Sequence, residues 1–166
     1  DYVRAVNRAA NALTELGVAP GDRVAVHIQK SPQALALYGA CVRAGAVFLP
    51  LNTAYTPAEL DYFVGDSGAA LFVCDPGEAD ALAPIAKAAG CDLKTLGADG
   101  TGSFTDLVSG QSESFDTVAR DPDDLAALLY TSGTTGRSKG AMLTQANLLS
   151  NAEALVEAWQ FTADDV

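Results

Sequence analysis

A chain of 166 residues is long enough for one ordinary domain that buries roughly 70% of its unfolded surface. With 49% hydrophobic and 19% charged residues its composition is that of a globular rather than a disordered chain. The net charge of −11 argues against DNA, RNA or anionic lipid as the main partner, and no apolar run approaches the roughly 20 residues that span a bilayer.

The opening segment DYVRAVNRAANALTELG places Val3, Val6, Ala10, Leu13 and Leu16 at three-and-four spacing, which predicts an amphipathic helix ended by Gly17. After the turn APGD, RVAVHI reads as a strand. SPQALALYGACVRAG then reads as a helix, with Ser31 as N-cap and Pro32 at the first helical position. AVFLP is the next strand. In TPAELDYFVGDSG, Thr56, Pro57 and Glu59 form the pattern of a capping box, so another helix follows. ALFVC is a strand, EADALAPIAKAAG a helix that Pro84 could kink or split, and DLKTL a short strand. This β-α-β-α-β-α-β alternation predicts an α/β fold with a mainly parallel sheet flanked by helices, because parallel neighbours need crossover connections.

Beyond Leu96 the pattern loosens into a long Gly-, Ser- and Asp-rich excursion with one short helix at residues 104–108. LAALLYT then reads as a strand covered on both faces. The loop YTSGTTGRSKG follows, then a strand GAMLT and a helix QANLLSNAEALVEAWQ capped by Thr144. The chain starts without Met or a signal peptide and stops on FTADDV, which predicts a piece of a longer protein. Cys41, Cys74 and Cys91 have no C-x-x-C spacing. They read as reduced, buried small hydrophobes in a cytoplasmic protein.

The loop at residues 130–140 carries the chemistry. A phosphate chain wants inward-pointing backbone N–H groups, hydroxyl donors and a cation, with no Cβ obstructing close approach. Gly133 and Gly136 can form such a nest, Thr131, Ser132, Thr134 and Thr135 offer hydroxyls, and Lys139 supplies an ammonium. From residue 125 to 152 there is no Asp or Glu, and Arg137 and Lys139 are the only charges, so an anion is least repelled here. The Walker A pattern fails, since the glycines are three apart, Gly140 follows Lys139, and a strand rather than a helix comes next. On composition alone, a plain connecting loop is the commoner reading.

Residue for residue, YTSGTTGRSKG resembles the ATP-phosphate loop of the adenylate-forming (AMP-binding) superfamily of acyl-CoA synthetases, adenylation domains and luciferases. The resemblance extends through GDRVAV, VRAGAVFLPLN, TPAELDYFVGDS and AMLTQANLLSN, and so covers nearly the whole chain. Within the superfamily, LPLNTAYTPAELDYF, VCDP and FTADDV are most similar to malonyl-CoA synthetases. The resemblance implies that residues 1–166 are part of an N-terminal AMP-binding domain, without its C-terminal lid. It implies a carboxylate–CoA ligase that forms an acyl-adenylate and then a thioester, malonyl-CoA from malonate, using a small-molecule carboxylate, ATP with Mg2+, and coenzyme A as co-substrate. It assigns Thr131, Ser132, Gly133, Thr134, Thr135, Gly136 and Lys139 to the β- and γ-phosphates, and gives Lys139 the catalytic role of offsetting charge as pyrophosphate departs. Arg137 falls at a variable position and reads as a surface cation.

The family's Tyr-Gly-x-Thr-Glu segment, ribose-binding Asp and late lysine are missing, so this piece alone is expected to be inactive. No protein metal ligands are assigned; magnesium would be bridged by phosphates. Two alternatives stay open: another adenylate-forming enzyme, acting on fatty or aromatic acids or within a peptide synthetase, and a noncatalytic nucleotide-binding module. His27, the only histidine, reads as a satisfied structural side chain. Trp159 and Phe161 read as packing for the last helix, and the Asp pairs 123/124 and 164/165 as solvated turns. Asn52 and Tyr55 follow a strand and are candidates to line a cleft at its carboxyl end.

Overall fold

A computed structural model describes residues 1–131 and 137–165. In chain order the elements are α1 (Tyr2–Glu15), β1 (Arg23–His27), α2 (Pro32–Ala44), β2 (Val47–Pro50), α3 (Pro57–Ser67), β3 (Leu71–Cys74), a 3-10 turn (Pro76–Glu78), α4 (Ala79–Ala89), β4 (Asp92–Thr95), α5 (Ser103–Ser109), β5 (Leu125–Thr131), β6 (Lys139–Thr144) and α6 (Gln145–Trp159). The expected caps are in place. The Ser31 hydroxyl accepts from the Ala34 N–H at 3.0 Å, and Thr56 with Glu59 closes a capping box on α3. Thr144 does the same for α6, with Asn147 as its partner. Pro84 does not split α4, whose Leu82, Ile85 and Ala86 are held in the core on either side of it.

The six strands lie in the order β4-β3-β1-β2-β5-β6, and all neighbours are parallel except the β5–β6 hairpin. Alternation along the central strands divides the core in two. Val24 and Val26 of β1 and Leu71 and Val73 of β3 face α1, α2 and α5. Ala25, Phe72 and Cys74 turn the other way, against α3 and α4. The loop leaving β1 therefore runs to one face and the loop leaving β2 to the opposite face. Between them, at the carboxyl ends of the strands, a crevice opens.

The excursion at residues 97–124 is tied down by side chains far away in sequence. Arg43 donates to the Phe115 carbonyl and the Thr117 hydroxyl, each at 2.8 Å, and to the Asn7 side chain. Asn7 donates to the Glu113 carbonyl at 2.7 Å, and Asn11 to the carbonyls of Ser112 and Ser114. The short helix α5 is anchored by Phe104, which is buried under α1 and α2.

At the other edge of the sheet, the 166 residues by themselves give little cover. The apolar run of β5 predicts a strand covered on both faces, yet only Ala126 and Ala127 are buried. Its outer neighbour β6 is largely exposed, and among the described residues no side chain of α6 is buried. Trp159 does meet Phe161 edge-on at 5.7 Å, but it stays 65% exposed.

Cys41 and Cys74 are fully buried and Cys91 half-buried. Burial, aided by Glu78 and Asp75, pushes the Cys74 thiol from 9.0 up to about 12, and burial raises Cys41 as well. Tyr130 is also raised, first by burial and then by its bond to Asp66. These groups keep protons that the unfolded chain releases, so their contribution is fully present below about pH 9 and is lost as pH rises through the range 9 to 12. Each of the two buried thiols costs up to about 1.4 kcal/mol per pH unit across its window, and the half-buried Tyr130 less. Urea midpoints are expected to fall from pH 8 to pH 10.5, and the Cys41→Ala, Cys74→Ala double variant should flatten that decline. A decline equally steep in the variant would remove the cysteines as its cause.

Candidate functional site

Strand β5 carries the loop's first foot and β6 its second. Across the hairpin Tyr130 pairs with Gly140 and Thr131 with Lys139, and the Thr131 hydroxyl lies 3.4 Å from the Lys139 carbonyl oxygen. The ordered pairing therefore delivers a hydroxyl and an ammonium-bearing residue side by side where the central parallel strands end. Both are exposed. Ser132, Gly133, Thr134, Thr135 and Gly136 lie outside the described residues.

Beside these feet is a cleft of about 660 Å³ at the carboxyl ends of β1, β2 and β5, lined among others by Lys30, Asn52, Tyr55, Leu129 and Tyr130. Asn52 and Tyr55, expected to flank such a cleft, do so. The Tyr55 ring packs tilted against Phe63 with centroids 4.9 Å apart, and Phe63 against Tyr130 at 4.4 Å, so one aromatic cluster joins the cleft wall to the loop's entry strand.

The acid-free window in the sequence does not stay acid-free in space. α3 brings Asp66 to the loop, where its carboxylate accepts a 2.6 Å hydrogen bond from the Tyr130 hydroxyl. One turn earlier, the Tyr62 hydroxyl donates to the Ser138 carbonyl at 3.1 Å, and the Arg137 guanidinium lies over the Tyr62 ring at 4.8 Å from its centroid. Arg137 is thus exposed, as expected, but docked on an aromatic face. Sequence reading missed Tyr62 and Asp66. Their four-residue spacing on a capped helix was visible, but not which strand that helix would cover.

His27 is buried with Nδ1 at 3.0 Å from a Glu78 carboxylate oxygen, while neither ring nitrogen reaches full hydrogen-bond geometry with a described residue. It is less completely satisfied than its place in a core strand suggests. Asp124 pairs with Arg120 at 3.1 Å and accepts from the Asp121 N–H, and Asp165 accepts from the Thr162 N–H, so both acidic pairs belong to turns. Among the described residues no group of three His, Cys, Asp or Glu could hold a metal ion, and no helix is long and apolar enough to cross a membrane.

All of residues 1–166 match the family model described as AMP-binding enzyme. The chain belongs to that family. It is similar to a feruloyl-CoA synthase from Amycolatopsis sp, with 37% identity over 98% of this chain and 31% of the relative. It is also similar to the long-chain-fatty-acid–CoA ligase FadD13 of Mycobacterium tuberculosis, with 32% identity over 95% of this chain and 31% of the relative. Among solved structures, ATP-bound MatB from Rhodopseudomonas palustris superposes with a TM-score of 0.95 at 56% identity, over 99% of this chain and 33% of that one. The chain thus spans about a third of the length of these relatives.

Proposed function

We propose that this chain is part of the N-terminal domain of an ATP-dependent carboxylate–CoA ligase and supplies the grip on ATP's β- and γ-phosphates. In the first step a carboxylate oxygen attacks the α-phosphorus of MgATP and the bond to the bridging oxygen breaks. Pyrophosphate leaves with the bonding electrons. In the second step the thiol of coenzyme A attacks the acyl carbon, loses its proton, and expels AMP to give the thioester. The observation that carries this reading is the β5–β6 hairpin, which sets Thr131 and Lys139 side by side at the carboxyl end of the sheet. A cation there stabilises charge as it gathers on the leaving group. The exposed cation Lys139 suits phosphate oxygens rather than Mg2+, so the metal enters as part of MgATP.

For the acid we propose malonate. The support is the likeness of LPLNTAYTPAELDYF to malonyl-CoA synthetases together with the 56% identity to MatB, against 37% for the feruloyl-CoA synthase. Carboxylate-dependent pyrophosphate exchange by the full-length protein tests it. Malonate is expected to exceed ferulate and a long-chain fatty acid by at least about tenfold in kcat/KM, since a site built for a second carboxylate leaves polar groups unpaired with an apolar acid. A ferulate or fatty-acid preference would overturn the malonate reading and keep the ligase. The 166-residue piece is expected to show no exchange, and turnover by it would overturn its role as a partial site.

A further inference from the structure

We propose that Tyr62 and Asp66 of α3 are positioning residues that fix the two feet of the phosphate loop relative to each other. This rests on the reading of Thr131 and Lys139 as phosphate contacts. Tyr130 immediately precedes Thr131, and Ser138 immediately precedes Lys139. Asp66 holds the first of these neighbours through a 2.6 Å hydroxyl–carboxylate bond, in the range of charge-assisted hydrogen bonds. Tyr62 holds the second through its 3.1 Å bond to the Ser138 carbonyl, and its ring also carries the Arg137 guanidinium. Residues 62 and 66 are one helical turn apart and share a face. Both feet are therefore tied to a single rigid body.

That body is itself well fixed. Leu60, Phe63 and Val64 sit in the core, and the Thr56–Glu59 box closes the start of the helix. The ring of Tyr62 packs on Phe63 at 5.5 Å and edge-on against Tyr130 at 6.0 Å, so its hydroxyl is aimed by aromatic neighbours rather than left to solvent. β5 is joined to the central strand β2 in parallel, with Phe48 paired to Ala127, but that pairing lies toward the start of β5, away from Tyr130 and from the β6 foot. Tyr62 and Asp66 add a reference at the loop end itself. Reacting groups misplaced by about 1 Å can lose as much as a hundredfold in rate, so a tether of this kind acts on ATP use rather than on folding.

The test uses the full-length enzyme. Tyr62→Phe keeps the ring and its packing but removes the hydroxyl, and is expected to raise KM for MgATP about 3–10-fold. KM for the carboxylate and for coenzyme A, and the melting temperature, should stay at their original values. Asp66→Ala should lower the rate of pyrophosphate exchange about tenfold, while Asp66→Asn, whose carbonyl still accepts from Tyr130, should recover most of it. Tyr130→Phe should add little on top of Asp66→Ala, because both remove one bond. Lys139→Ala serves as the reference. If it impairs exchange while Tyr62→Phe and Asp66→Ala behave like the parent enzyme, the positioning role is overturned and the phosphate reading stands. If Lys139→Ala is itself without effect, the phosphate reading falls and takes the positioning role with it. Equal rises in KM for ATP and the carboxylate would also overturn the proposal, since they would mark general loosening.

Discussion

Replacing Lys139 with alanine in the full-length enzyme is expected to slow adenylate formation by about 10²–10³-fold, the usual loss when one positioned group stabilising transition-state charge is removed. The loss should fall mainly on kcat. ATP already carries charge on its terminal phosphates before reaction, so some ground-state binding is lost too, but charge builds further as the bond between α-phosphorus and bridging oxygen breaks. KM for MgATP should therefore rise less than about tenfold. Lys139 is exposed and its ammonium has no carboxylate partner among the described residues, so the folded state should be affected by no more than about 0.5 kcal/mol, which a thermal melt would check. The two half-reactions separate the role further. Thioester formation from pre-formed acyl-adenylate releases AMP and no pyrophosphate, so it should run at close to the original rate in Lys139→Ala. Equal damage to both halves would mean that Lys139 supports the site as a whole rather than the leaving group.

The parts of the fold legible in sequence are those decided within a few residues. Ser31 with Pro32, Thr56 with Glu59, and Thr144 each satisfy N–H groups in their own first helical turn, so local spacing was enough to place three helix starts. The parallel sheet follows from alternation, because a crossover needs a helix. The strand order does not, since it depends on which pairs of faces bury together. The same limit applies to the site. The loop is a candidate in sequence because its glycines, hydroxyls and lysine are close in the chain, whereas Asp66 meets Tyr130 across 64 positions and Tyr62 meets Ser138 across 76. The apolar content of β5 and α6 is not matched by cover within these 166 residues. An apolar side chain is buried only where another element covers it, and the strand's composition carried no information about that cover.

Gly102→Ala is expected to cause the largest loss of stability, about 3–5 kcal/mol, by combining a backbone conformation open mainly to glycine with a steric overlap. Gly102 joins β4 to α5 at φ +124° and ψ 162°. A Cβ there would lie 2.7 Å from the Thr95 carbonyl carbon and nearer still to its oxygen, both backbone atoms that cannot swing aside. The junction cannot move without further loss. The Thr95 N–H donates to the Ser103 hydroxyl at 3.0 Å, and the Ser103 N–H returns a bond to the Thr95 hydroxyl at 2.9 Å. Displacing Ser103 would also pull Phe104 from the core beneath α1 and α2. Gly17→Ala is the proper comparison, because Gly17 has φ +78° with nothing within 4 Å of the added carbon. It should cost only the left-handed backbone preference, about 1–2 kcal/mol. Chemical denaturation of the two variants therefore sets the Gly102 junction against an unobstructed left-handed glycine. Equal losses would show that the chain at Thr95 relaxes around the methyl group, whereas a Gly102→Ala loss well above that of Gly17→Ala would report the more restricted backbone of Gly102 together with the contact at the Thr95 carbonyl. A loss of 3–5 kcal/mol is a large fraction of the roughly 5–15 kcal/mol that holds a domain together, so soluble yield should fall along with the midpoint.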